Sequence, residues 1–354
     1  MIKNVQALRF LFIMLIVMSH IIGKTFDFGG ECGVSFFFML SGFVLSYAYG
    51  EQVTEGTFLH GKFLGRQLCK FYPLHVLTFL VMWLMDLRLG IGYEWYKLVA
   101  NVLLLQSWIP DDGFFFVANS SSWFLCDLLF FYTVFVVAFR VLSSLSLRKL
   151  VLLLVAVWVV YMALAFSIPV SKVNAVLYVS PVTRLIDFCI GILCFRLYAS
   201  QWGQRFSLRQ QSLPPSVISI VEVVLIAVVV LSFFVYENMT LRLRCAALFW
   251  LYMPLILFVY VKTDKLKGAV TAVLHLPFMQ WLGSISMEIY LTHFVVIRIV
   301  YSVMLSAGLD VATRQHPLAV VFIVMLIVMV AWLTKRYFTV PVAAWLMPKE
   351  KKTL

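Results

Sequence analysis

The sequence predicts an all-α integral membrane protein with about ten transmembrane helices. Of its 354 residues, 63% are apolar or aromatic and only 12% are charged, whereas soluble domains are 45–50% apolar and about a quarter charged. The mean hydropathy is +0.99, and apolar runs near the ~20 residues that cross a bilayer recur along the whole chain. These observations exclude a soluble globular domain, a disordered chain, a fibrous rod and a disulfide-stapled secreted domain.

Ten apolar segments are predicted to span the membrane. They lie near residues 5–23, 33–50, 71–88, 123–141, 149–168, 181–199, 216–236, 245–262, 279–305 and 317–337. A shorter apolar stretch near 97–108 is predicted to be re-entrant or interfacial, because it is too short to cross easily. We expect one membrane domain over residues 1–345 and a short basic cytoplasmic tail at 346–354. The first apolar run has no small-residue cleavage site after it, so we interpret it as a retained span.

The distribution of Lys and Arg predicts that both termini are cytoplasmic. With ten spans, nineteen of the 28 basic residues fall on the inside and eight on the outside, while Arg298 lies within a span. This asymmetry follows the positive-inside rule, and an eleventh span would split the basic loops between the two sides. The formal net charge is +12, but the basic residues are scattered singly. That pattern favours membrane lipid as the partner and argues against nucleic acid.

The cysteines indicate neither a disulfide framework nor a metal site. They lie in or beside apolar runs and form no CxxC pair, which is typical of small buried apolar side chains. The six residues are Cys32, Cys69, Cys126, Cys189, Cys194 and Cys245.

Arg9 and His20 are the most informative ionisable residues inside the predicted spans. Eleven residues at ~100° each give three turns plus ~20°, so both side chains leave one face of the first span, offset along its axis by roughly 16 Å. This geometry suits an elongated anionic ligand that is held at one end and delivers its reactive end to an imidazole. The alternatives are that Arg9 is a topology anchor and that His20 is a hydrogen-bonded interior residue.

Other polar residues within spans have both structural and functional interpretations. Ser286, Tyr290 and His293 share one helical face, which either lines a cavity or hydrogen-bonds to a neighbouring helix. Asp127 lies one turn into the fourth span, after an expected interfacial Trp123. We expect Arg184 and Asp187, spaced i and i+3, to neutralise each other, and we assign no role to Glu222. In the second span, small residues are expected to pack tightly on the first span. They are Ser35, Ser41 and Gly42.

Five sequence patterns, in order along nearly the whole chain, resemble the acyltransferase 3 family of membrane enzymes, which includes O-antigen and exopolysaccharide O-acetyltransferases. The patterns are Arg9 with His20, Phe37-Phe38-Met39-Leu40-Ser41-Gly42-Phe43, Arg66-Gln67-Leu68-Cys69-Lys70-Phe71-Tyr72-Pro73, Trp123-Phe124-Leu125, and Gly283 to His293. Two features depart from the family. In the basic stretch, Gln67 stands where the first arginine of the pair would fall, with Arg66 beside it, and Lys70 replaces the second arginine. Asp127 stands four residues after Trp123, where members place a glutamate at five.

The resemblance implies that the protein is an O-acyltransferase of the bacterial inner membrane, with acetyl-CoA or another short acyl-CoA as donor and a carbohydrate hydroxyl as acceptor. It implies no bound cofactor and no metal. By the same resemblance, the catalytic residues are His20, Arg9, His293 and Asp127. The implied substrate-binding residues are Arg66, Lys70, Ser41, Trp123, Ser286 and Tyr290, with Arg66 and Lys70 on the phosphates of CoA.

Two other functions are open at the level of the sequence. A proton-coupled secondary transporter also uses buried His, Glu and Asp residues, although its usual internal repeat is not evident here. A lipid-linked sugar flippase is a further alternative, but it would need no deep histidine. A kinase or nucleotidyltransferase is excluded, because the chain has no phosphate-binding loop or Mg²⁺-binding carboxylate cluster.

Overall fold

The computed structural model describes residues 2–22, 29–245, 249–309 and 315–347, and these residues form helices and connections without any strand. The long helices have about five to eight turns each. A helix pairs the backbone N–H and C=O groups within one segment, so an apolar stretch in lipid leaves none of them unpaired. The α-helices are α1 (Lys3–Ile22), α2 (Gly30–Glu55), α3 (His60–Arg88), α4 (Trp95–Val102), α5 (Asp112–Phe115), α6 (Trp123–Ser144), α7 (Leu147–Ser167), α8 (Val170–Val173), α9 (Pro181–Ala199), α10 (Gln201–Gln211), α11 (Pro215–Glu237), α12 (Leu241–Cys245), α13 (Phe249–Thr263), α14 (Ala269–Leu274), α15 (Pro277–Ser284), α16 (Ser286–Ser306), α17 (Pro317–Thr334) and α18 (Val340–Leu346).

Within this described part of the chain, eight helices are long and apolar enough to cross a membrane. A ninth crossing results if α8, the π-helical turn at Asn174–Val179 and α9 form one span bent by 45°. The predicted segment 245–262 corresponds to α13, which has 15 residues. The all-helical membrane fold is therefore confirmed, whereas the count of ten and the cytoplasmic termini stay predictions. Most of the predicted tail, residues 348–354, lies outside the described residues.

The chain divides into two compact units. Unit 1 comprises Met1–Phe58, Ser107–Asp112 and Phe124–Ser284, and unit 2 comprises Leu59–Gln106, Gly113–Trp123 and Ile285–Leu354.

In unit 1, α2 is packed between α1 and α9. At the crossing with α9, a Cβ on Gly42 or on Gly191 would collide with the backbone of the other helix. The tight contact with α1 instead occurs at Gly33, where a Cβ would lie 2.7 Å from the Phe12 carbonyl oxygen. The prediction that Gly42 packs on the first span is therefore wrong. Small residues lie on two faces of α2, one toward α1 and one toward α9. Their spacing in the sequence does not indicate which helix each face contacts.

In unit 2, α3 is longer than its predicted span, because a helix continues through the polar residues that hydropathy excludes. It begins at His60, eleven residues before the predicted 71. The predicted span 279–305 is also wrong at its start, since α15 and α16 are separate helices that break at Ile285. The core of unit 2 is built on Phe79 and Met82 of α3 together with Val117 and Ala118.

The stretch predicted to be re-entrant does not form a crossing helix. Its only α-helix, α4, has 8 residues, and the Asn101 carbonyl oxygen accepts a hydrogen bond from His75 Nε2 at 3.0 Å. His75 precedes the end of α3 by 13 residues, or about 20 Å, so this segment folds back along α3. Leu104 and Ala118, at φ of 56° and 53°, adopt left-handed backbone conformations in and after it. Such strain persists only where the surrounding structure enforces it.

Candidate active site

The first element of the site is α1, which carries Arg9 and His20 in one uninterrupted helix. The helical rise therefore sets their axial offset at about 16 Å, as the spacing predicts. Arg9 is half-buried within unit 1, and His20 is exposed. An exposed imidazole is open to a substrate, whereas a histidine buried as interior packing would not be.

The charge of Arg9 acts on a pair of hydroxyls that two further helices of unit 1 provide. The Tyr132 hydroxyl of α6 lies within hydrogen-bonding reach of the Ser41 hydroxyl of α2, and Arg9 and Tyr49 act on it electrostatically. Ser41 also donates to the Phe37 carbonyl oxygen at 2.8 Å. Arg9 and Ser41, which were separate sequence predictions, thus belong to one polar group. Tyr132 was missed, since nothing in the sequence distinguishes it among 15 tyrosines.

Asp127 belongs to a second, fully buried polar group in unit 1. The charges of Arg184 and Asp187 act on it, and the Ser107 side chain lies within hydrogen-bonding reach of its carboxylate. Arg184 Nη2 pairs with Asp187 Oδ2 at 3.0 Å and donates to Ser35 Oγ at 2.8 Å. The expected pair of Arg184 and Asp187 is therefore present.

Tyr132 follows Asp127 by five positions, which turns α6 by about 500°, so the two side chains leave different faces. A catalytic role for Asp127 stays a prediction. The structure places Asp127 in the Arg184 group rather than on the face of α6 that carries Tyr132.

The start of α1 is fixed by a buried polar network that the sequence did not reveal. Asn4 donates from its backbone N–H to Asp264 at 2.7 Å and from its side-chain amide to the Tyr260 carbonyl oxygen at 3.0 Å and to Thr271 Oγ1 at 2.9 Å. Glu222 accepts from the Thr271 hydroxyl and from two backbone N–H groups at the start of α14, at 3.0 and 3.2 Å. Glu222, which had no assigned role, therefore caps α14, and through Thr271 it supports α1.

In unit 2, Arg66 and Lys70 lie one turn apart on α3, and both are exposed. Spaced i and i+4, they present two positive charges on one face. Pro73 follows within the same helix. Their exposure is compatible with binding an anionic ligand, and this binding role stays a prediction.

The polar stripe of α16 is buried inside unit 2. The Tyr290 hydroxyl donates to the Ser121 carbonyl oxygen at 2.7 Å, and His293 Nδ1 lies 2.6 Å from the Tyr290 carbonyl oxygen. Ser286 is 2% exposed and Trp123 is 4% exposed. The interfacial position expected for Trp123 stays a prediction. The hydrogen bond of Tyr290 agrees with the interpretation that the stripe bonds to neighbouring structure. Substrate binding by Ser286, Tyr290 and Trp123 stays a prediction.

Unit 2 also contains a buried histidine that the sequence analysis missed. His75 is fully buried and, besides its bond to Asn101, lies near the rings of Tyr72 and Phe79. Nearby, Asn119 joins Thr78 of α3 to the Leu291 carbonyl oxygen of α16, at 2.9 and 3.2 Å. This polar core supports the segment that contains α4.

The helical fold defines the chain as a polytopic membrane protein, and comparison with known proteins gives its family. The family model described as "Acyltransferase domain" matches residues 2–336. The chain therefore belongs to the acyltransferase 3 family.

Two curated relatives match over part of their length. Acyltransferase MdmB of Streptomyces mycarofaciens is 30% identical over 181 residues, which cover 46% of each chain. Protein 2 in the picA locus of Rhizobium radiobacter is 49% identical over 49 residues, or 14% of this chain and 26% of that protein. The chain thus matches less than half of either relative. No solved structure matches it.

Proposed function

We propose that this protein is an integral membrane O-acyltransferase that moves an acetyl or other short acyl group from acyl-CoA to a hydroxyl of a carbohydrate acceptor. We place it in the bacterial inner membrane, with an O-antigen, capsule or exopolysaccharide chain as acceptor. Membership of the acyltransferase 3 family and the similarity to acyltransferase MdmB support acyl transfer as the reaction class. The observation that carries the proposal is the helix α1, which presents an exposed imidazole about 16 Å along its axis from a half-buried guanidinium.

The donor-binding groups in this proposal are cationic. In unit 1, Arg9 offers a guanidinium whose charge acts on the Tyr132 hydroxyl, and a guanidinium binds phosphate through two parallel hydrogen bonds. In unit 2, the exposed pair Arg66 and Lys70 offers further positive charge for the phosphates of CoA. Lys70 acts there as a point charge without the planar fork of an arginine.

The reacting group in this proposal is His20, and two routes are compatible with it. In the first, the imidazole takes the proton of the acceptor hydroxyl while that oxygen attacks the thioester carbonyl; the C–S bond breaks, and the proton passes on to the CoA thiolate. In the second, an imidazole nitrogen attacks the thioester carbonyl, the C–S bond breaks, and CoA leaves as the thiol with the imidazole N–H proton; the acceptor oxygen then attacks the acyl-imidazole, the C–N bond breaks, and the hydroxyl proton passes to the freed ring nitrogen. Denaturing the enzyme at neutral pH within seconds of adding labelled acetyl-CoA without acceptor separates them, because only the second leaves labelled protein.

The test is acyl transfer by purified protein. We expect the protein in detergent to release CoA from labelled acetyl-CoA and to pass label to surface glycan isolated from a deletion strain, and mass spectrometry of that glycan identifies the acylated position. Protein that binds no acetyl-CoA, yet moves protons or lipid-linked sugars across proteoliposomes, would contradict the proposal in favour of a transporter or flippase.

A further inference from the structure

One face of α10, the helix that connects α9 to α11, carries two aromatic rings and two guanidinium groups. We call it the α10 face, and its residues are Trp202, Arg205, Phe206 and Arg209. At about 100° per residue, these four positions fall within an arc of about 100° around the helix axis. Trp202 and both arginines are exposed, and Phe206 is half-buried. The sequence has no Asp or Glu from residue 188 to residue 221, so no acidic residue of α10 or its flanks opposes these charges.

The corner between α9 and α10 is fixed by polar contacts within unit 1. Lys262 of α13 donates to the Tyr198 carbonyl oxygen at 3.0 Å and to the Gly203 carbonyl oxygen at 2.9 Å. Gly203 N–H donates to Ser200 Oγ at 3.1 Å. A Cβ on Gly203 would lie 2.1 Å from the Leu197 carbonyl oxygen, so the corner has no space for a side chain there. The start of α10 therefore has a defined position against α13.

The aromatic part of the α10 face is packed on one side and open on the other. The ring centroid of Trp202 lies 5.4 Å from that of Phe206 and 5.7 Å from that of Phe258 of α13. The centroids of the two phenylalanines are 5.8 Å apart, so both rings lie toward one side of the indole. Trp202 is still 57% exposed. The open side of the indole is suited to stacking on a flat aromatic ligand, as exposed aromatic side chains stack on nucleic acid bases.

The contacts of α13 place α10 at the end of unit 1 where α1 begins. The backbone N–H of Asn4 donates to Asp264 at 2.7 Å, and Lys262, which holds α10, lies two residues before Asp264. Arg9 follows Asn4 by about 7.5 Å along α1, whereas His20 follows it by roughly 24 Å. The α10 face thus shares the end of unit 1 that carries the guanidinium of α1, and the predicted orientation makes this end cytoplasmic.

An open indole beside two guanidinium groups fits a nucleotide. A purine stacks on the aromatic ring, and a phosphate pairs with a guanidinium through two parallel hydrogen bonds. A helix that lies on a lipid surface instead separates its charged face from its aromatic face, whereas the α10 face combines them.

The proposed donor has such a nucleotide, because acyl-CoA carries adenine and phosphates at the end opposite its thioester. We propose that the α10 face binds the adenine nucleotide of the acyl-CoA donor. Trp202 stacks on the adenine, and Arg205 and Arg209 pair with the phosphates. This inference rests on the proposed function and adds to it a nucleotide-binding site in the same unit as Arg9 and His20.

The test measures CoA binding directly, without any acyl transfer. Purified protein in phosphatidylcholine nanodiscs is titrated with CoA by calorimetry, and the wild type is compared with Trp202→Ala and with the double variant Arg205→Ala, Arg209→Ala. We expect the Kd to rise about tenfold in each variant, since one stacking contact or two charge-assisted contacts are lost. An unchanged Kd in either variant overturns the inference.

The matched controls remove exposed residues of the same kinds away from α10. Trp95→Ala removes a tryptophan that is 74% exposed, and Arg148→Ala, Lys149→Ala removes an exposed basic pair at the start of α7. Both should change the Kd less than twofold, and an equal loss of affinity in the controls overturns the assignment to α10. If Trp202→Ala does not fold, Trp202→Leu is compared with Trp202→Phe, and only the latter should keep a near-normal Kd, because it retains a ring.

Two further measurements identify the part of the ligand that α10 binds. Adenosine 3′,5′-bisphosphate lacks the pantetheine arm; it should compete with CoA on the wild type, and Trp202→Ala should weaken this competition by the same factor as CoA binding. Unchanged competition in that variant overturns the inference. Variants that bind CoA normally, but retain less phosphatidylglycerol than the wild type in native mass spectrometry, overturn it in favour of a lipid headgroup.

The outcomes separate this inference from the proposed function. If Arg9→Ala loses CoA binding while both α10 variants keep it, the donor assignment stands and this inference fails. If the wild type binds CoA through the α10 face but transfers no acyl group, the site stands and the proposed function fails. If the wild type binds no CoA, both fail.

Discussion

Replacing Asp86 with alanine should destabilise unit 2, because this residue joins α3 to α16 through an ion pair within the apolar part of the molecule. Asp86 is 1% exposed and pairs with Arg298, whose side chain is 25% exposed. The Tyr93 hydroxyl donates to the other carboxylate oxygen at 2.9 Å. Burial, and then the hydrogen bond to Asp86, raise the pKa of Tyr93, so its hydroxyl stays protonated and remains a donor.

The expected loss of stability is about 3 kcal/mol. Removing one partner of a buried ion pair costs about 3–5 kcal/mol, because the other charge is left uncompensated. The lower end applies here, since Arg298 is a quarter exposed and solvent screens its charge. A change of this size lowers the Tm by roughly 5 °C in a chain this large. Asp86→Asn should cost less, because its amide oxygen still accepts from Tyr93.

The assay is thermal unfolding of purified protein in detergent, followed by tryptophan fluorescence. The matched control is Glu94→Ala, which breaks the pair with Lys97, in which Glu94 is 55% exposed. Exposed pairs contribute little to stability, so the control should keep its Tm within about 1 °C. If Asp86→Ala unfolds at the same temperature as this control, the buried pair does not hold α3 and α16 together, and the reasoning is refuted.

Three further predictions concern the rest of the fold. Glu222→Ala should lower the stability of unit 1 by about 1–3 kcal/mol, measured by the same unfolding assay, because the buried donors at the start of α14 lose their acceptor; an unchanged Tm would contradict its role as a cap. Gly191→Leu should prevent assembly of α2 with α9, and size-exclusion chromatography should show little folded protein, whereas Gly65→Leu, where a Cβ meets no atom within 4 Å, should fold normally. For the topology, single cysteines placed by Arg205→Cys and Pro110→Cys should be labelled from the cytoplasmic and the outer side respectively, and labelling of both from one side would refute ten spans with cytoplasmic termini.

The sequence predicts a helix well where an apolar stretch also has residues that mark its ends. The predicted span 181–199 coincides with α9, because Ser180 and Pro181 mark the start of a helix in the sequence. Hydropathy fails where polar residues continue a helix, as in the first turns of α3, or where an apolar stretch contains a break, as at Ile285. Neither event changes the apolar pattern, so neither can be detected from it.

The candidate site is predictable only along single helices. Helical spacing predicts that Arg9 and His20 share one face, because both lie on α1 and the rise per residue is fixed. It cannot predict that Tyr132 lies beside Ser41 and Arg9, since that contact joins three helices through tertiary packing. For the same reason the spacing cannot predict that the fold buries Trp123.

The most direct test of the central claim is acyl transfer by His20→Ala at saturating acetyl-CoA, compared with His60→Ala as a control at the half-buried first residue of α3. The account predicts that His20→Ala inserts, folds and binds CoA with a near-normal Kd but transfers no acyl group, while His60→Ala transfers at the wild-type rate. A folded His20→Ala protein with near-normal turnover would contradict the account and would leave His20 without a catalytic role.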